Sequence, residues 1–357
     1  MARFRTAPLS LAALAAALVA SPVLADPTLI SGTDVLRTWN LVVLGDLTSS
    51  SEVEGRTFVG GNLSGNSSNY QIQSLPASST GTPGLTVVGD VLGGHKNLNN
   101  GSGAVVGGNV SSGFNLNGAA QTVLVGGSIS NTNVNNNTVT SGLSASDPSF
   151  TQNLVQQKSL IETSMTGLSH TMETQAANSQ LTISGNRGTF NAQPDANGVA
   201  VFNISAADLD KIGEIQFNLN GADTAIVNVS GTAITLNDNF LGGTQNLGEH
   251  VIWNFPDAET LSLTTAWGGS VLAPGAAATT ANYIQGSAVF GSLVQNGEMH
   301  IGTYTGSYNP SPSDPGTPGG SSSSSGGTAV PEPGVVGLLA LAFGALVFWR
   351  RRRTLAA

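Results

Sequence analysis

The segment SSEVEGR is the one dense cluster of charged residues in the body of the chain, and it contains residue types that acid–base chemistry uses. Glu52 and Glu54 alternate onto one face of an extended strand, and Arg56 lies on the same face if the strand continues. Two carboxylates at a fixed separation can hydrolyse a glycosidic bond. The same side chains could also form a structural ion pair, a cation contact or a solvated edge, and the sequence favours the solvated edge.

Other residues of reactive types do not form catalytic or metal-binding motifs. Asp208 and Asp210 are a second pair of acids, and no cysteine is present to supply a thiolate. Neither HExxH, GxSxG nor GxxxxGK[ST] occurs, so glycine-rich stretches are interpreted as corners. The histidines are best interpreted as surface or loop residues: His95, His170, His250 and His300. We therefore expect no catalytic residue, no metal site, no cofactor and no enzymatic activity.

The sparse charge of the chain limits its partners. Only 9% of its 357 residues are charged, and the formal net charge is −9. Between Asp26 and Pro333, six basic residues stand against twenty-one acidic ones, which gives this part a net charge of −15. Nucleic-acid binding requires clustered lysine and arginine that replace phosphate counterions. We therefore expect no nucleic-acid partner.

Residues 1–25 have the composition of a secretory signal peptide. Two arginines precede an apolar stretch over 9–20, and Val23 and Ala25 are modest or small side chains at the −3 and −1 positions. We predict that signal peptidase cleaves between Ala25 and Asp26, and that the protein is exported by the secretory route.

A short apolar run, 334–349, lies close to the end of the sequence. It has sixteen residues, whereas a transmembrane helix needs about 20, so it can just cross if its flanking side chains reach the interface. The Pro/Gly/Ser-rich stretch 309–330 is typical of a flexible linker. The arginines that follow the run predict a stop on the cytoplasmic side of the inner membrane: Arg350, Arg351, Arg352 and Arg353.

The triplet Pro331-Glu332-Pro333, the apolar run and the arginines together resemble the PEP-CTERM sorting signal over residues 331–353. The resemblance implies a Gram-negative bacterium that makes extracellular polysaccharide. It also implies an exosortase that cuts near the triplet, so that membrane attachment through the helix is transient and the protein then reaches the cell surface or the medium. Permanent anchoring by the helix is the alternative.

A short pattern of apolar residues followed by glycine recurs in the first half: VVLGDL, TFVGGNL, TVVGDV, AVVGGNV and VLVGGSI. Its first glycines are separated by 15, 29, 18 and 19 residues, and the long step contains an inserted loop: Gly45, Gly60, Gly89, Gly107 and Gly126. A period near 18–20 residues is typical of solenoid coils, in which glycine permits the corner, apolar side chains point inward and Thr, Ser and Asn point outward. The pattern predicts a mainly β protein built as a parallel β-solenoid, with an antiparallel sandwich as the alternative.

One long amphipathic helix is predicted at about 148–177, because Asp147 can cap it and Pro148 suits its first turn. Its apolar stripe should lie along the sheet: Leu154, Ile161, Met165, Leu168 and Met172. Strand patterns return over 181–306, where Val271 and Val289 are eighteen residues apart. We expect this second half to extend or close the same solenoid.

The segment WNLVVLGDLTSSSEVEGRTFVGGNL, followed later by NFPDAETLSL, GSVLAPGAA and GSLVQNGEMHIG, resembles the choice-of-anchor A family of bacterial surface domains over residues 35–308. The resemblance brings no catalytic residue with it. A helix beside a solenoid also resembles ice-binding solenoids of another family. Ice binding requires threonines at matched positions, however, and those of TTAWGG, TTANY and NTNVNNNTVTSG are not in register.

These observations favour an exported, non-enzymatic protein of the cell surface or extracellular matrix. Its role would be structural or adhesive in an exopolysaccharide or biofilm context, with a polar face that binds extracellular polysaccharide. Two alternatives stay open: a carbohydrate-active enzyme that uses Glu52 and Glu54, and a protein that assembles with copies of itself.

Processing of the C-terminal segment can be tested by the intact mass of the protein released from cells. Cleavage near the triplet gives a mass that ends close to Glu332 and lacks the apolar run. A released protein whose mass includes Arg353 would contradict removal of the segment and support permanent anchoring.

Overall fold

The computed structural model describes residues 32–310. The predicted signal peptide, most of the predicted linker, the sorting signal and the predicted helix at 334–349 lie outside the described residues. Among residues 32–310, no helix is both long enough and apolar enough to cross a membrane.

The described chain is mainly β, with four helices: α1 (Asp34–Thr38), α2 (Leu143–Ser146), α3 (Pro148–Glu173) and α4 (Ala206–Leu209). Strands before α2 are short: β1 (Leu41–Val43), β2 (Leu47–Ser49), β3 (Glu52–Val53), β4 (Thr57–Val59), β5 (Leu63–Ser64), β6 (Ser68–Tyr70), β7 (Leu85–Val87), β8 (Lys96–Leu98), β9 (Ala104–Val106), β10 (Phe114–Leu116), β11 (Thr122–Val125) and β12 (Thr138–Thr140). Those after α3 include longer ones: β13 (Gln180–Ser184), β14 (Arg187–Asn191), β15 (Val199–Ser205), β16 (Glu214–Asn218), β17 (Thr224–Ser230), β18 (Ala233–Leu236), β19 (Asn239–Phe240), β20 (Val251–Asn254), β21 (Thr260–Leu263), β22 (Trp267–Gly268), β23 (Ser270–Thr280), β24 (Ile284–Gln285), β25 (Ala288–Gln295) and β26 (Met299–His300).

These strands form three sheets of fifteen, seven and four strands. The central path of the largest sheet is β12-β11-β9-β7-β4-β1-β25-β23-β20-β17-β15, and β2, β5, β18 and β21 extend it laterally. The seven-stranded sheet has the order β10-β8-β6-β3-β26-β24-β22, and the small sheet is β13-β14-β16-β19. Every strand pair of the two larger sheets is parallel, and β13 with β14 is the antiparallel pair in the small sheet. The antiparallel sandwich is therefore wrong.

The two halves of the chain meet inside the same sheets. Strands β1 and β3 lie inside the two larger sheets and pair with β25 and β26 from the C-terminal half. In the large sheet, the strands that follow β1 in the chain run outward from this junction to β12, and those from β15 onward return to it at β25. The second half extends the sheets as expected, although Val289 pairs with Leu272 instead of Val271.

Around β1 and β4 the large sheet is buried on both faces, which its sequence pattern alone did not predict. In β1, Leu41 and Val43 face the interior, whereas Val42 faces the opposite side. Val42 and Phe58 pack there against Met165 of α3 in a second apolar cluster. The expectation that outward positions are polar is wrong for this face, because α3 covers it.

Helix α3 begins where the sequence predicts and ends four residues earlier. The Asp147 side chain accepts a hydrogen bond from the Ser149 backbone nitrogen at 3.0 Å, and Pro148 occupies the first turn. All five residues of the predicted apolar stripe are buried, together with Phe150 and Ser169. The helix thus lies along the sheet as expected.

A ladder of asparagines holds the last turns of α3 on the sheet. Asn203, Asn228 and Asn254 are in register on β15, β17 and β20; Asn228 donates to Asn203 Oδ1 and Asn254 donates to Asn228 Oδ1, each at 2.8 Å. Asn228 and Asn254 also donate to the carbonyl oxygens of Met172 and Ser169, each at 2.8 Å. Buried amide groups are costly when unpaired, so this network fixes the helix in one position.

The repeated glycines are required because successive corners stack closely. None of the five first glycines has positive φ. A Cβ on Gly60 would overlap the Leu44 carbonyl oxygen, and a Cβ on Gly89 would lie 2.7 Å from the Gly61 carbonyl oxygen. Glycine therefore permits close approach between neighbouring coils, and left-handed backbone is not the reason for it here.

The polar residue after each glycine corner bonds to the next coil and not to its own turn. The Oδ1 atom of Asp46 accepts from the Asn62 nitrogen at 2.7 Å, and that of Asn62 accepts from the Asp90 nitrogen at 2.9 Å. The series continues in the same way: Asp90 Oδ1 accepts from the Asn109 nitrogen at 2.6 Å, and Asn109 Oδ1 accepts from the Ser128 nitrogen at 3.0 Å. This series explains why Asp, Asn and Ser recur at one position of the repeat.

Substitution of Gly60 by alanine should test the close stacking of corners. The added Cβ overlaps backbone of the neighbouring coil, so we expect urea unfolding to show a loss of about 1–3 kcal/mol. The matched control is Gly167→Ala on α3, where nothing lies within 4 Å of the new Cβ. That change should stabilise the protein by up to about 1 kcal/mol. Equal stability of Gly60→Ala and the wild type would contradict the explanation.

Candidate functional site

An exposed face of the large sheet has a straight row of small side chains, here called the hydroxyl rank. Strand register aligns residues across β18, β21, β23, β25, β2 and β5. Isolated parallel bridges extend the same alignment over three further coils. The rank contains, in spatial order, Thr235, Ser262, Thr279, Val294, Thr48, Ser64, Leu92, Ser111 and Ser130. Its side chains are exposed or half-buried, while the alternate residues of the same strands point inward.

The hydroxyl rank is regular because backbone pairing fixes its spacing. Neighbouring strands are about 4.8 Å apart, so nine aligned residues extend over roughly 40 Å. Thr48 Oγ1 lies 3.1 Å from Ser64 Oγ, and Thr279 Oγ1 donates to Ser262 Oγ at 3.3 Å. The row therefore presents hydroxyl groups together with the methyl groups of its Thr, Val and Leu members, and none of its side chains carries a formal charge. Of the threonines considered in the sequence, Thr279 of TTANY belongs to the rank, and its aligned partners Thr235 and Thr48 come from distant segments that were not considered.

The outer face of the seven-stranded sheet has a row of amides, here called the amide ladder. Asn69, Asn97 and Asn115 are in register on β6, β8 and β10. Asn97 donates to Asn69 Oδ1 at 2.8 Å, and Asn115 donates to Asn97 Oδ1 at 2.7 Å. The remaining donor and acceptor groups face solvent, where they can bond to a polar ligand.

Although Glu52, Glu54 and Arg56 are close in sequence, each side chain forms a hydrogen bond with a different partner. Asn69 Nδ2 donates to Glu52 Oε1 at 3.1 Å, so Glu52 ends the amide ladder. The Ile301 backbone nitrogen donates to Glu54 Oε2 at 2.6 Å. Arg56 Nη2 donates to the carbonyl oxygen of Pro76 at 2.5 Å. Arg56 forms no ion pair with either glutamate among the described residues, so an ion pair is not the role of this cluster.

Beside Glu52, the structure brings together an acid, a histidine and a tyrosine that the sequence did not connect. Glu298 Oε2 lies 2.7 Å from His300 Nε2, and the His300 ring stacks on Tyr283 with ring centroids 4.3 Å apart. Tyr283 directly precedes β24, Glu298 directly precedes β26 and His300 ends β26, so only the parallel register of these two strands aligns them. His170 pairs with Glu173 on exposed helix surface at 3.2 Å.

The other acidic pair has a structural role. Asp208 Oδ2 accepts from the Ser205 backbone nitrogen at 3.0 Å as the cap of α4, and Lys211 Nζ donates to Asp208 Oδ1 at 2.8 Å. The Lys211 hydrogen bond, followed by those from Ser205, lowers the pKa of Asp208 to about 2. Asp210 is exposed. Within residues 32–310, no group of three or more His, Cys, Asp or Glu side chains could hold a metal ion.

Asp238 is an acid of unusual environment that the sequence did not single out. Its side chain is fully buried, and neither carboxylate oxygen has a hydrogen-bond partner within the described chain. Burial raises the pKa of Asp238 to about 6, and the charge of Asp210 contributes in the same direction.

One family model matches the chain over residues 32–301, and its description is "Putative Ice-binding-like adhesive domain" (pAdhesive_15). The chain belongs to this family. Membership supports a surface adhesive, non-enzymatic role and a location at the cell surface or outside the cell. No curated protein and no solved structure matches the chain. For this adhesive domain, the two aligned exposed rows are the surfaces of greatest interest.

The buried carboxyl of Asp238 predicts a measurable pH dependence of stability. Its pKa in the folded protein, about 6, exceeds its ordinary value of 3.8. The folded protein therefore binds this proton more tightly, and stability falls as pH rises from about 4 to about 6. Between pH 4 and 7.5, the wild type should lose about 2 kcal/mol relative to Asp238→Asn in urea unfolding.

Asp210→Asn is the matched control for this measurement. It removes the neighbouring charge and should reproduce only part of the effect, because burial is the larger cause. If the difference between the wild type and Asp238→Asn is the same at both pH values, Asp238 does not titrate in this range.

Proposed function

We propose that the protein is an exported adhesin whose domain is a parallel β-solenoid with two adhesive faces. The first four coils each supply one strand to the helix-covered sheet and one to the seven-stranded sheet, in the pairs β1 and β3, β4 and β6, β7 and β8, and β9 and β10. The hydroxyl rank lies on the segment between them, which begins at Leu47 in the first coil. A solenoid with three faces, one covered by α3, accounts for these pairings.

The proposed ligand is extracellular polysaccharide, and the hydroxyl rank is the observation that carries this proposal. A sugar chain presents hydroxyl groups and CH surfaces at regular intervals along its length. Thr48 and Thr279 offer both hydroxyl and methyl groups, and Val294 between them adds apolar contact. A rigid surface loses little conformational entropy on binding, so many weak contacts can add up along the chain.

Export and sorting complete the proposal. An adhesin must leave the cytoplasm, and the predicted cleavage between Ala25 and Asp26 together with the sorting triplet Pro331-Glu332-Pro333 would supply that route. We propose signal peptidase and an exosortase as processing partners, and a biofilm or exopolysaccharide matrix as the setting. The family membership supports this location without identifying the enzymes.

Binding to ice is the second candidate function. The family description and the alignment of Thr235, Thr279 and Thr48 on one flat face both favour it. The argument from sequence against ice binding included Thr279 but not its aligned partners Thr235 and Thr48, so it missed the register of the hydroxyl rank.

The double variant Thr48→Tyr/Thr279→Tyr tests the role of the hydroxyl rank. Two bulky rings interrupt the flat surface, so retention on immobilised exopolysaccharide should fall at least tenfold, because aligned contacts are lost along the row. The matched control is Gln156→Tyr on the exposed side of α3, which should bind like the wild type. Asn97→Tyr measures the contribution of the amide ladder in the same assay.

Two parallel measurements separate the candidates. Partition of the protein into slowly growing ice, abolished by the same double variant, would replace polysaccharide by ice as the ligand. Absence of wild-type retention on polysaccharide, or equal retention of the double variant, would contradict the proposed role of the rank. Release of reducing ends that Glu52→Gln/Glu54→Gln abolishes would instead support the enzymatic alternative.

A further inference from the structure

The loop inserted into the second coil forms one wall of a cleft, here called the Arg56 cleft. Its volume is about 260 Å³, and its lining includes two cations, Arg37 and Arg56, together with Asn40, Leu75, Pro76, Ile301 and Thr303. The loop wall is held in place by Arg56, whose Nη2 atom donates to the Pro76 carbonyl oxygen. The cleft lies at the junction of the two halves, because Ile301 follows β26 and Arg56 follows β3.

Arg56 is a cation without a carboxylate partner. Among the described residues, Arg37, Arg187 and Lys211 pair with acids, whereas Arg56 does not. Its Nε atom is buried, and no described residue accepts a hydrogen bond from it. The Arg56 side chain as a whole is half-buried, so an external acceptor in the cleft would be bound favourably by the accessible part of its guanidinium group. Burial also lowers the pKa of Arg56, which indicates the same loss of solvent.

The remaining walls fit one sugar residue. Leu75, Pro76 and Ile301 offer apolar contact for the CH groups of a pyranose ring, and Thr303 adds a hydroxyl. Asn40 is already saturated, since it donates to Gly286 and His300 and accepts from Gly55. The volume lies just below the range of sites for drug-sized ligands, which suits a monosaccharide unit.

We propose that the Arg56 cleft binds the carboxylate of an acidic sugar, such as a hexuronate unit of a polysaccharide. A planar carboxylate accepts two parallel N–H bonds from a guanidinium group, and this geometry favours arginine over lysine. The inference rests on the proposed polysaccharide function for the choice of a sugar as carrier of the charge. It adds a selective contact for acidic sugars, separate from the hydroxyl rank.

Titration with small glycosides tests this cleft without depending on adhesion to a polymer. The probes are methyl β-glucuronide, methyl β-glucoside, which lacks the carboxylate, and sodium acetate, which lacks the ring. We expect the glucuronide to shift the side-chain NMR signal of Arg56 Nε–H, the glucoside to give no shift, and acetate to bind at least tenfold more weakly. Higher salt should weaken glucuronide binding.

Arg56→Gln should lower glucuronide affinity at least tenfold, while Arg187→Gln, at an exposed ion pair, should leave it unchanged. Arg56→Lys keeps the charge and should recover only part of the affinity. If Arg56→Gln disturbs the loop, the comparison of glycosides on the wild type still decides. Equal binding of glucuronide and glucoside, or binding of acetate as strong as that of glucuronide, would overturn the proposal. Glucuronide binding without polymer retention would leave the cleft proposal standing while the proposed adhesive function fails.

Discussion

Parallel pairing of coils in fixed register is the constraint on which the rest of the structure depends. It brings successive corners so close that the backbone at Gly60 leaves no room for a side chain beside Leu44. It also places the polar side chain of each corner against the next backbone nitrogen, as in Asp46 and Asn62. Because register repeats along the sheet, every outward position becomes a row, and rows of one chemical type become surfaces.

The covering of one face by α3 determines which rows can contact a ligand. Phe58 of the sheet and Met165 of α3 belong to one buried apolar cluster. The buried asparagines Asn228 and Asn254 hold the last turns of the helix by hydrogen bonds. An apolar face of this size would otherwise be exposed to water and prone to association. With that face covered, the hydroxyl rank and the amide ladder are left as regular exposed surfaces, and neither depends on a mobile loop for its spacing.

The sequence predicted the features that local patterns encode, and it missed the contacts that depend on the register between distant strands. The glycine corners and the stripe from Leu154 to Met172 are local patterns, and the structure contains both a mainly parallel β architecture and the helix. Alignment of Thr48 with Val294 joins segments almost 250 residues apart, and no local period reveals it. The same holds for the Glu298–His300–Tyr283 group. Partners of Glu52 and Glu54 were missed because both bonds cross between coils.

Low charge density links the adhesive surfaces to the Arg56 cleft. Under the proposed function, a row of hydroxyls and methyls would bind through many neutral contacts and so would distinguish poorly between related polymers. A net negative body repels acidic polymers at long range, and this repulsion is screened over about 8–10 Å in physiological salt. Within that distance, an unpaired guanidinium such as Arg56 can outweigh the background charge, because Coulomb energy rises as separation falls. A neutral surface for avidity and a half-buried guanidinium for selectivity are therefore compatible in a single acidic domain.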